Sequence, residues 1–430
     1  MATVTGSTSE TISTPLAAGT NAGTINLGGL SAGVVVVTAN AYAGTCPATG
    51  VATWVGEPVR ATVVAGVPTQ IALDLHLATS TVTGTVNLSQ PAVSIAVGTG
   101  TSYAVLADGT VRAWGTNGNA QFGGMPGSGH APTSSGSLTP VTVEGVTNAV
   151  QVAAGSHFAC AVRRDDSVVC WGQCGLNRNF GFSCTPFEDD PPVVVPGLVA
   201  TGVSGAPAFM VYQGLNGAFA ETNGPNLRWL SGGPFVSAAA SSFPDVLQAA
   251  YVTQEGAAYY WFKDTGTTLL AYGAAQIYQG ADPNGPYVCA IMANGTVTCW
   301  GFNSAGQLGL GTTTVGNVYA PAQAVPGLSN VTSMALGRGG PFACAATQGG
   351  PVFCAGTNMN GQLGNGTATA STTFTRVTGL DNVVELAASE NHTCARRVDG
   401  SVACWGNNDS GQLGDGTTIS RFTPVNVGGW

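Results

Sequence analysis

Hydrophobic and polar positions alternate along much of this chain, in short runs that end at turn signals. The clearest runs are Thr24-Ile25-Asn26-Leu27 and Gln70-Ile71-Ala72-Leu73-Asp74-Leu75-His76-Leu77. A period of two is typical of a β-strand with one buried face, and the glycine pairs and prolines between the runs are typical of tight turns. The pattern predicts an all-β protein.

A hairpin with two facing cysteines recurs along the chain. If Val398-Asp399-Gly400 forms a three-residue loop, with Gly400 at positive φ, Cys394 and Cys404 lie opposite each other on an antiparallel pair. Directly opposed cysteines are within bridging distance, whereas a zinc site needs shorter C-x₂₋₄-C spacings. The sequence therefore predicts four hairpin disulfides, Cys160–Cys170, Cys289–Cys299, Cys344–Cys354 and Cys394–Cys404.

A glycine-rich run of the form N-x-x-G-Q-L-G-x-G follows three of these hairpins, at Asn303 to Gly311, Asn358 to Gly366 and Asn408 to Gly416. A divergent copy after Trp114-Gly115 has Tyr103 and Ala113 at the cysteine positions. Four strands in a repeating unit of about 50 residues are typical of a β-propeller blade. Two weaker hairpins, Phe209 to Ala220 and Tyr251 to Trp261, bring the predicted blades to seven, with six as the fallback.

The stretch Leu386-Ala387-Ala388-Ser389-Glu390-Asn391-His392-Thr393-Cys394-Ala395-Arg396 resembles the repeat signature of the regulator-of-chromosome-condensation family. The resemblance implies a β-propeller over residues 81–430, and the cysteine-bearing variant resembles secreted bacterial members. The strand 423–427 repeats the start of a unit without a unit after it. We expect this strand to close the ring by pairing beside Ala92 to Val97, which would remove an open sheet edge.

Residues 1–80 lack the repeat and predict a small β-sandwich. The order L-x-A-G, a valine-rich strand and V-x-A-G-x-x-T-x-I-x-L-x-L resembles immunoglobulin-like or transthyretin-like and carboxypeptidase-regulatory-like sandwiches. Gly29-Leu30-Ser31-Ala32-Gly33 has the letters of a nucleophile elbow. The elbow requires a helix after the serine, but β-branched valines follow, so we expect no catalysis by Ser31.

Charge and cysteine content limit the classes of partner and compartment. Only 8% of the residues are charged, and the formal net charge is -9, which does not suit a nucleic-acid surface. The apolar run Val34 to Val37 is too short to cross a membrane. Eleven cysteines indicate an oxidising compartment, extracellular or at the cell surface. We expect a fifth disulfide between Cys174 and Cys184. Cys46 is then the unpaired cysteine, either a buried thiol or one end of an intermolecular link.

The residues with the most reactive side chains recur at fixed positions of the repeat. His392 corresponds to Phe158 and Thr101, so we expect it to have a packing role, and Asp415 corresponds to Asn365 and Leu310. The recurring tryptophans Trp114, Trp171, Trp300 and Trp405 favour packing between blades over carbohydrate stacking. No catalytic, cofactor or metal site is predicted, and we expect the protein not to be an enzyme.

Binding differences in a repeat fold are expected where the repeat is interrupted. Three such places are the insertion between Cys174 and Cys184, the acidic run before Pro191-Pro192 and an aromatic patch that continues through Trp261 and Phe262. The candidate partner-binding residues are Arg178, Phe180, Phe182, Glu188, Asp189, Asp190, Tyr259 and Tyr260.

The sequence thus favours a non-enzymatic binding module, a rigid propeller that presents loops to a protein or glycan partner. A structural subunit of a surface array or fibre, self-assembling through Cys46, is the alternative. An enzyme inhibitor is a further alternative that the resemblance suggests, and guanine-nucleotide exchange would follow from fold analogy alone.

Overall fold

The structure is a computed structural model, and it describes the backbone of eight strands before residue 90 and most residues after it. The described ranges are 2–5, 9–12, 24–28, 33–41, 54–56, 59–63, 69–77, 80–117, 136–156, 158–172, 192–205, 210–214, 217–220, 228–229, 235–243, 246–262, 266–282, 284–314 and 320–428. Within these ranges every regular element is a β-strand.

Two compact units divide the chain. The first contains Met1–Pro91 with Leu106–Asp108 and Trp430, and the second contains Ala92–Val105 and Gly109–Gly429. The strands of the first unit are β1 Ala2–Thr5, β2 Ser9–Ile12, β3 Thr24–Gly28, β4 Gly33–Ala41, β5 Trp54–Gly56, β6 Val59–Val63, β7 Thr69–Leu77 and β8 Ser80–Ser89.

The predicted two-sheet sandwich is not supported in this first unit. The strands join in one hydrogen-bonded order, β2-β1-β4-β5-β7-β8-β3, and β6 also pairs with β4. The two runs of alternating residues do form strands, β3 and β7, and β3 lies parallel to β8. Period-two alternation therefore located the strands, but it did not determine how they pair.

The second unit consists of four-stranded antiparallel sheets, which we number as blades in chain order. The first four blades are β9 Ala92–Gly98, β10 Thr101–Leu106, β11 Val111–Gly115 and β12 Ser137–Thr142; β13 Ala149–Ala154, β14 Phe158–Arg163, β15 Ser167–Gly172 and β16 Val193–Val199; β17 Gly202–Gly205, β18 Met210–Gly214, β19 Gly217–Ala220 and β20 Arg228–Trp229; and β21 Phe235–Phe243, β22 Val246–Thr253, β23 Ala257–Phe262 and β24 Gly266–Tyr272.

The remaining blades contain the best-preserved copies of the repeat. They are β25 Ala274–Asp282, β26 Gly285–Met292, β27 Val297–Gly301 and β28 Ala320–Ala324; β29 Val331–Leu336, β30 Phe342–Thr347, β31 Val352–Gly356 and β32 Ser371–Arg376; and β33 Val383–Ala388, β34 His392–Arg397, β35 Val402–Gly406 and β36 Arg421–Asn426. Among the described residues the four-stranded sheets number seven, where the sequence predicted seven blades or, as the fallback, six.

The blades form a ring because their innermost strands contact one another in succession. β9 contacts β13, each later inner strand contacts the next, and β33 of the last blade contacts β9 of the first. Both of the weaker predicted hairpins are present, as β18–β19 in the third blade and β22–β23 in the fourth. The fold is an all-β propeller.

The hairpins place the cysteines as predicted. Cys394 lies opposite Cys404, and the bridge between them is formed. Gly400 has φ 79°, and its N–H donates to the carbonyl of Arg397, which closes the turn. The other three predicted hairpin disulfides are also present, Cys160–Cys170, Cys289–Cys299 and Cys344–Cys354. Tyr103 lies opposite Ala113 at the corresponding positions of the first blade.

The expected role of the C-terminal strand is wrong. β36 is the outermost strand of the seventh blade and pairs with β35, whereas β9 is the innermost strand of the first blade. The first blade already has its own outer strand, β12, so it has no open position for β36 to fill. The segments that resemble Thr139-Pro140-Val141 therefore end a blade and do not begin the next one.

A loop closes the ring instead. The glycine-rich run of the seventh blade lies on the first blade, where the carbonyl of Gln412 accepts from Trp114 Nε1 at 2.9 Å and from Ser102 Oγ at 2.8 Å. Gly414 allows this close approach, because a Cβ there would lie 2.9 Å from the Trp114 ring. The loop after β31 makes the same contact with the seventh blade, through Gln362 and Trp405. Closure therefore uses a contact already present between the sixth and seventh blades.

Candidate functional site

The repeated asparagines of the loops bind their own loop. Oδ1 of Asn408 accepts from the N–H of Leu413 at 2.9 Å, and its Nδ2 donates to the carbonyls of Thr417 and Ile419. Asn358 makes the same set of bonds with Leu363, Thr367 and Thr369. These side chains hold a chain segment that has no strand partner, and they are fully buried. Their hydrogen bonds maintain the scaffold.

The recurring tryptophans connect neighbouring blades, as the sequence predicted. Nε1 of Trp405 donates to the carbonyl of Gln362 in the preceding loop at 2.8 Å, and Trp114 does the same with Gln412. Trp300 differs, because the fourth blade before it has no such loop. Its Nε1 is buried and has no hydrogen-bond partner among the described residues.

His392 lies inside the scaffold. Its ring is 2% exposed, and Nε2 lies 3.0 Å from Ser102 Oγ of the first blade. Burial lowers the pKa of His392 to about 3, because the charged ring would lose its hydration. His392 is therefore neutral near pH 7 and links the seventh blade to the first.

Polar side chains at one repeated position of the inner strands bridge the seams between blades. Ser333 Oγ accepts from the N–H of Leu386 at 3.2 Å, and Ser237 Oγ accepts from the N–H of Ile277 at 3.1 Å. Gln151 also bonds the backbone of the next blade, in both directions. Adjacent inner strands thus gain cross-links that their own ladders do not provide.

Glu385 fills this position at the seam that closes the ring. One carboxylate oxygen accepts from the N–H of Ile95 at 3.2 Å, and the other accepts from Arg396 Nε at 2.7 Å. The only carboxylate that lines the channel among the described residues is thus already paired.

The inner strands surround a central channel. Its cavity has a volume of about 460 Å³, within the range of small-molecule sites. All seven inner strands contribute to its wall, and Arg338, just beyond β29, lies at its lining. The lining otherwise consists mainly of small or uncharged side chains.

The fourth blade lacks the cysteine pair and the glycine-rich run of the repeat, and it carries the predicted residues Tyr259 and Tyr260. Both lie on β23 and are half-buried, and Tyr259 stacks on Tyr251 with ring centroids 5.3 Å apart. Tyr259 lies opposite Leu269 of β24, and Tyr260 lies opposite Thr268. The predicted aromatic patch therefore supports the outermost strand of this blade.

β24 itself has an unprotected edge. It is seven residues long, contains neither proline nor a charged residue, and exposes Leu269 at 42% and Tyr272 at 71%. Every other outer strand of the described blades contains a proline or an arginine: Pro140 in β12, Pro196 in β16, Arg228 in β20, Pro321 in β28, Arg376 in β32, and Arg421 with Pro424 in β36. Proline and charge are the usual means of preventing strand addition at an edge.

Most of the predicted binding residues lie outside the described residues. These are Arg178, Phe180, Phe182, Glu188, Asp189 and Asp190, together with Cys174, Cys184 and Cys46. Their roles stay predictions. The sequence patterns did not identify β24 or Arg338 as candidates. The absence of a T-P-V segment from the fourth blade was a signal that could have identified β24.

No group of three or more histidine, cysteine or acidic side chains is placed to hold a metal ion within the described part of the chain. None of the elements described is a helix long and apolar enough to cross a bilayer.

Comparison with family models identifies the repeats. The regulator of chromosome condensation (RCC1) repeat matches residues 92–121, 149–179 and 383–412 in one model and 294–343, 349–396 and 399–429 in another. The chain therefore contains RCC1 repeats and folds as an RCC1-like β-propeller. The matched segments leave out the third and fourth blades. No curated protein sequence matches the chain.

Several solved structures are similar to the chain at low sequence identity. Prp20p from Saccharomyces cerevisiae, studied for binding to Gsp1p and histones, is 17% identical over 78% of this chain and 76% of its own, with a TM-score of 0.46. Human WBSCR16 is 18% identical over 80% and 84% of the two chains, with a TM-score of 0.44. PorZ, a surface component of the type-IX secretion system of Porphyromonas gingivalis, is 11% identical over 78% of this chain and 38% of its own, with a TM-score of 0.45.

Proposed function

We propose that this chain is a non-enzymatic protein-binding module of an oxidising compartment, extracellular or at the cell surface. The propeller is a rigid frame, and the unit before it in the chain is a spacer or attachment domain. The observation that carries the proposal is the unprotected outer strand β24.

The edge of β24 determines the kind of partner. An outermost strand has backbone N–H and C=O groups that its own sheet does not use, and an extended segment of another protein satisfies them by adding a strand. Thr267, Thr268 and Leu269 are exposed in succession along this edge. The partner we propose is therefore a protein with an uncharged extended segment.

The exposed side chains add selectivity to this backbone recognition. Leu269 lies on the same face as Tyr259, and Tyr272 lies at the end of the strand opposite Ala257. An aliphatic and an aromatic side chain on one edge bind apolar side chains of an added strand. The proposed binding thus uses both the backbone edge of β24 and its exposed side chains.

Covalent cross-links support the proposed location and the rigidity of the frame. Four hairpin disulfides are present in the second, fifth, sixth and seventh blades. Structural disulfides of this kind persist outside reducing compartments. A rigid frame also lowers the entropic cost of binding, because the binding strand is already ordered.

The test uses Leu269→Lys, which puts a charge on the proposed edge, and Thr373→Lys on the outer strand β32 as the matched control. Each protein is immobilised and incubated with surface and secreted proteins of the native source. We expect a partner that the wild type and Thr373→Lys capture equally and that Leu269→Lys captures at least tenfold less, since a charge on an edge strand opposes strand addition.

Three outcomes contradict this placement. The first is capture by Leu269→Lys equal to that by the wild type. The second is loss of capture only after deletion of Cys174 to Cys184, because it would assign binding to the predicted insertion. The third is self-association: if the wild type is a dimer and Leu269→Lys a monomer by light scattering, the added strand belongs to a second copy, as in the array alternative.

A further inference from the structure

Arg338 is the only cationic side chain among the described residues that line the central channel. It lies two residues after the end of β29, and its N–H donates to the carbonyl of Ser389 in the next blade. The equivalent positions in the first, second and seventh blades are Thr99, Ser156 and Glu390. Arg338 is thus an interruption of the repeat, independent of β24.

The Arg338 side chain reaches across the ring. Nη1 approaches the carbonyl of Ala154, in the second blade, at 3.5 Å. A distance this long makes a weak hydrogen bond. The Nε–H group is buried and has no hydrogen-bond acceptor among the described residues. Most of the donors of this guanidinium therefore have no strong protein acceptor in the described part of the chain.

The charge of Arg338 is also uncompensated. None of the ion pairs among the described residues includes it. Glu385 is bound by Arg396, and Glu390 accepts from Thr99 Oγ1. Burial lowers the pKa of Arg338 to about 10, which still leaves it charged at pH 7. Arg338 is only partly buried, but withdrawing a cation from water without an anion is still costly, and proteins normally pair such a charge.

We infer that the channel at Arg338 is a binding site for a small oxyanion, a carboxylate or a phosphate group. The planar fork of a guanidinium matches two oxygens of either group. The cavity of about 460 Å³ is large enough for a metabolite-sized anion. Gln276, Ser204 and Ser237 line the same cavity and offer hydrogen bonds to the rest of a polar ligand.

The experiment measures anion binding by the purified full chain at pH 7, by calorimetry, with sodium acetate and, separately, sodium phosphate as probes. The variants are Arg338→Gln and, as the matched control, Arg376→Gln, which removes an exposed arginine paired with Asp381 on the outer strand β32. We expect the wild type and Arg376→Gln to bind one probe with equal affinity and Arg338→Gln to bind it at least tenfold more weakly. The probe that binds identifies the class of anion.

A structural role for Arg338 predicts different results. Without anion, Arg338→Gln should melt at or above the wild-type temperature, because it removes a partly buried, unpaired charge. Unfolding of this variant would overturn the inference. Arg338→Lys keeps the charge but loses the fork, so it should fold and bind with intermediate affinity. Absence of binding of both probes by the wild type, or undiminished binding by Arg338→Gln, would also overturn it.

Discussion

The seventh and fourth blades have the same four strands but differ in what holds them. The seventh has a disulfide between its middle strands, a loop with buried asparagine and an outer strand with proline and arginine. The fourth has an aromatic stack, a connection of only three residues between β23 and β24, and an outer strand without protection. Four strands thus suffice to complete the ring, and the other features are free to vary. The blade that lost them is the one with an edge suited to binding.

The largest difference between the two blades should be the contribution of the disulfide to the free energy of unfolding. The double variant Cys394→Ala/Cys404→Ala frees a hairpin whose cysteines are 10 residues apart, which should lower the free energy of unfolding by about 3 kcal/mol through the entropy of the unfolded chain. Denaturant titration of the oxidised protein measures this change. The fourth blade has no such bridge. Reducing agent should therefore lower the stability of the double variant Tyr251→Ala/Tyr259→Ala by no more than it lowers that of the wild type. A loss below about 1 kcal/mol in the cysteine variant would contradict the scaffold role.

A smaller effect should come from His392, which the fourth blade lacks. Folding lowers its pKa to about 3, from about 6.5 in the unfolded chain. Between these two values the unfolded chain binds a proton that the folded chain does not, so stability falls as the pH falls. Between pH 7 and pH 5 this group should cost about 2 kcal/mol. His392→Phe, which introduces the residue found at positions 158 and 342, should flatten that part of the stability curve. An unchanged slope would show that His392 is not buried as a neutral ring.

The smallest effect should be the difference in stability between losing a tryptophan that donates to the preceding loop, Trp405, and losing one that does not, Trp300. Trp405→Phe removes an indole donor and leaves the carbonyl of Gln362 without it, which should cost about 1 kcal/mol beyond the loss of ring area. Trp300→Phe loses the same area, but its N–H has no acceptor among the described residues, so it should cost less. Thermal unfolding of the two variants measures the difference. If Trp300→Phe were the more destabilising variant, the fourth blade would have a loop contact of its own.

Local pattern predicted the parts of the fold that local chemistry determines. The hairpin turn at Gly400 and the facing cysteines depend on residues within ten positions of each other, and both predictions are confirmed. The two cysteine-free hairpins of the third and fourth blades were also found from turn residues and alternation alone.

Predictions that required a choice between distant partners were less successful. β36 contains the same T-P-V letters as the outer strand β12, but letters do not specify whether a strand pairs with the hairpin before it or after it. Arg338 and Glu385 acquire their surroundings from blades far away in sequence, so their roles had no local signal. β24 could have been noticed, because it lacks the proline or arginine that each of the other outer strands contains.

The proposed strand addition at β24 is tested most directly by hydrogen exchange of backbone amides in the free protein and in complex with the partner that Leu269→Lys fails to capture. Strand addition should slow exchange along Gly266–Tyr272 and leave the outer strand Ser371–Arg376 unchanged, because only an added ladder protects edge amides. Protection confined to the Cys174 to Cys184 insertion, with no change along β24, would contradict the proposal.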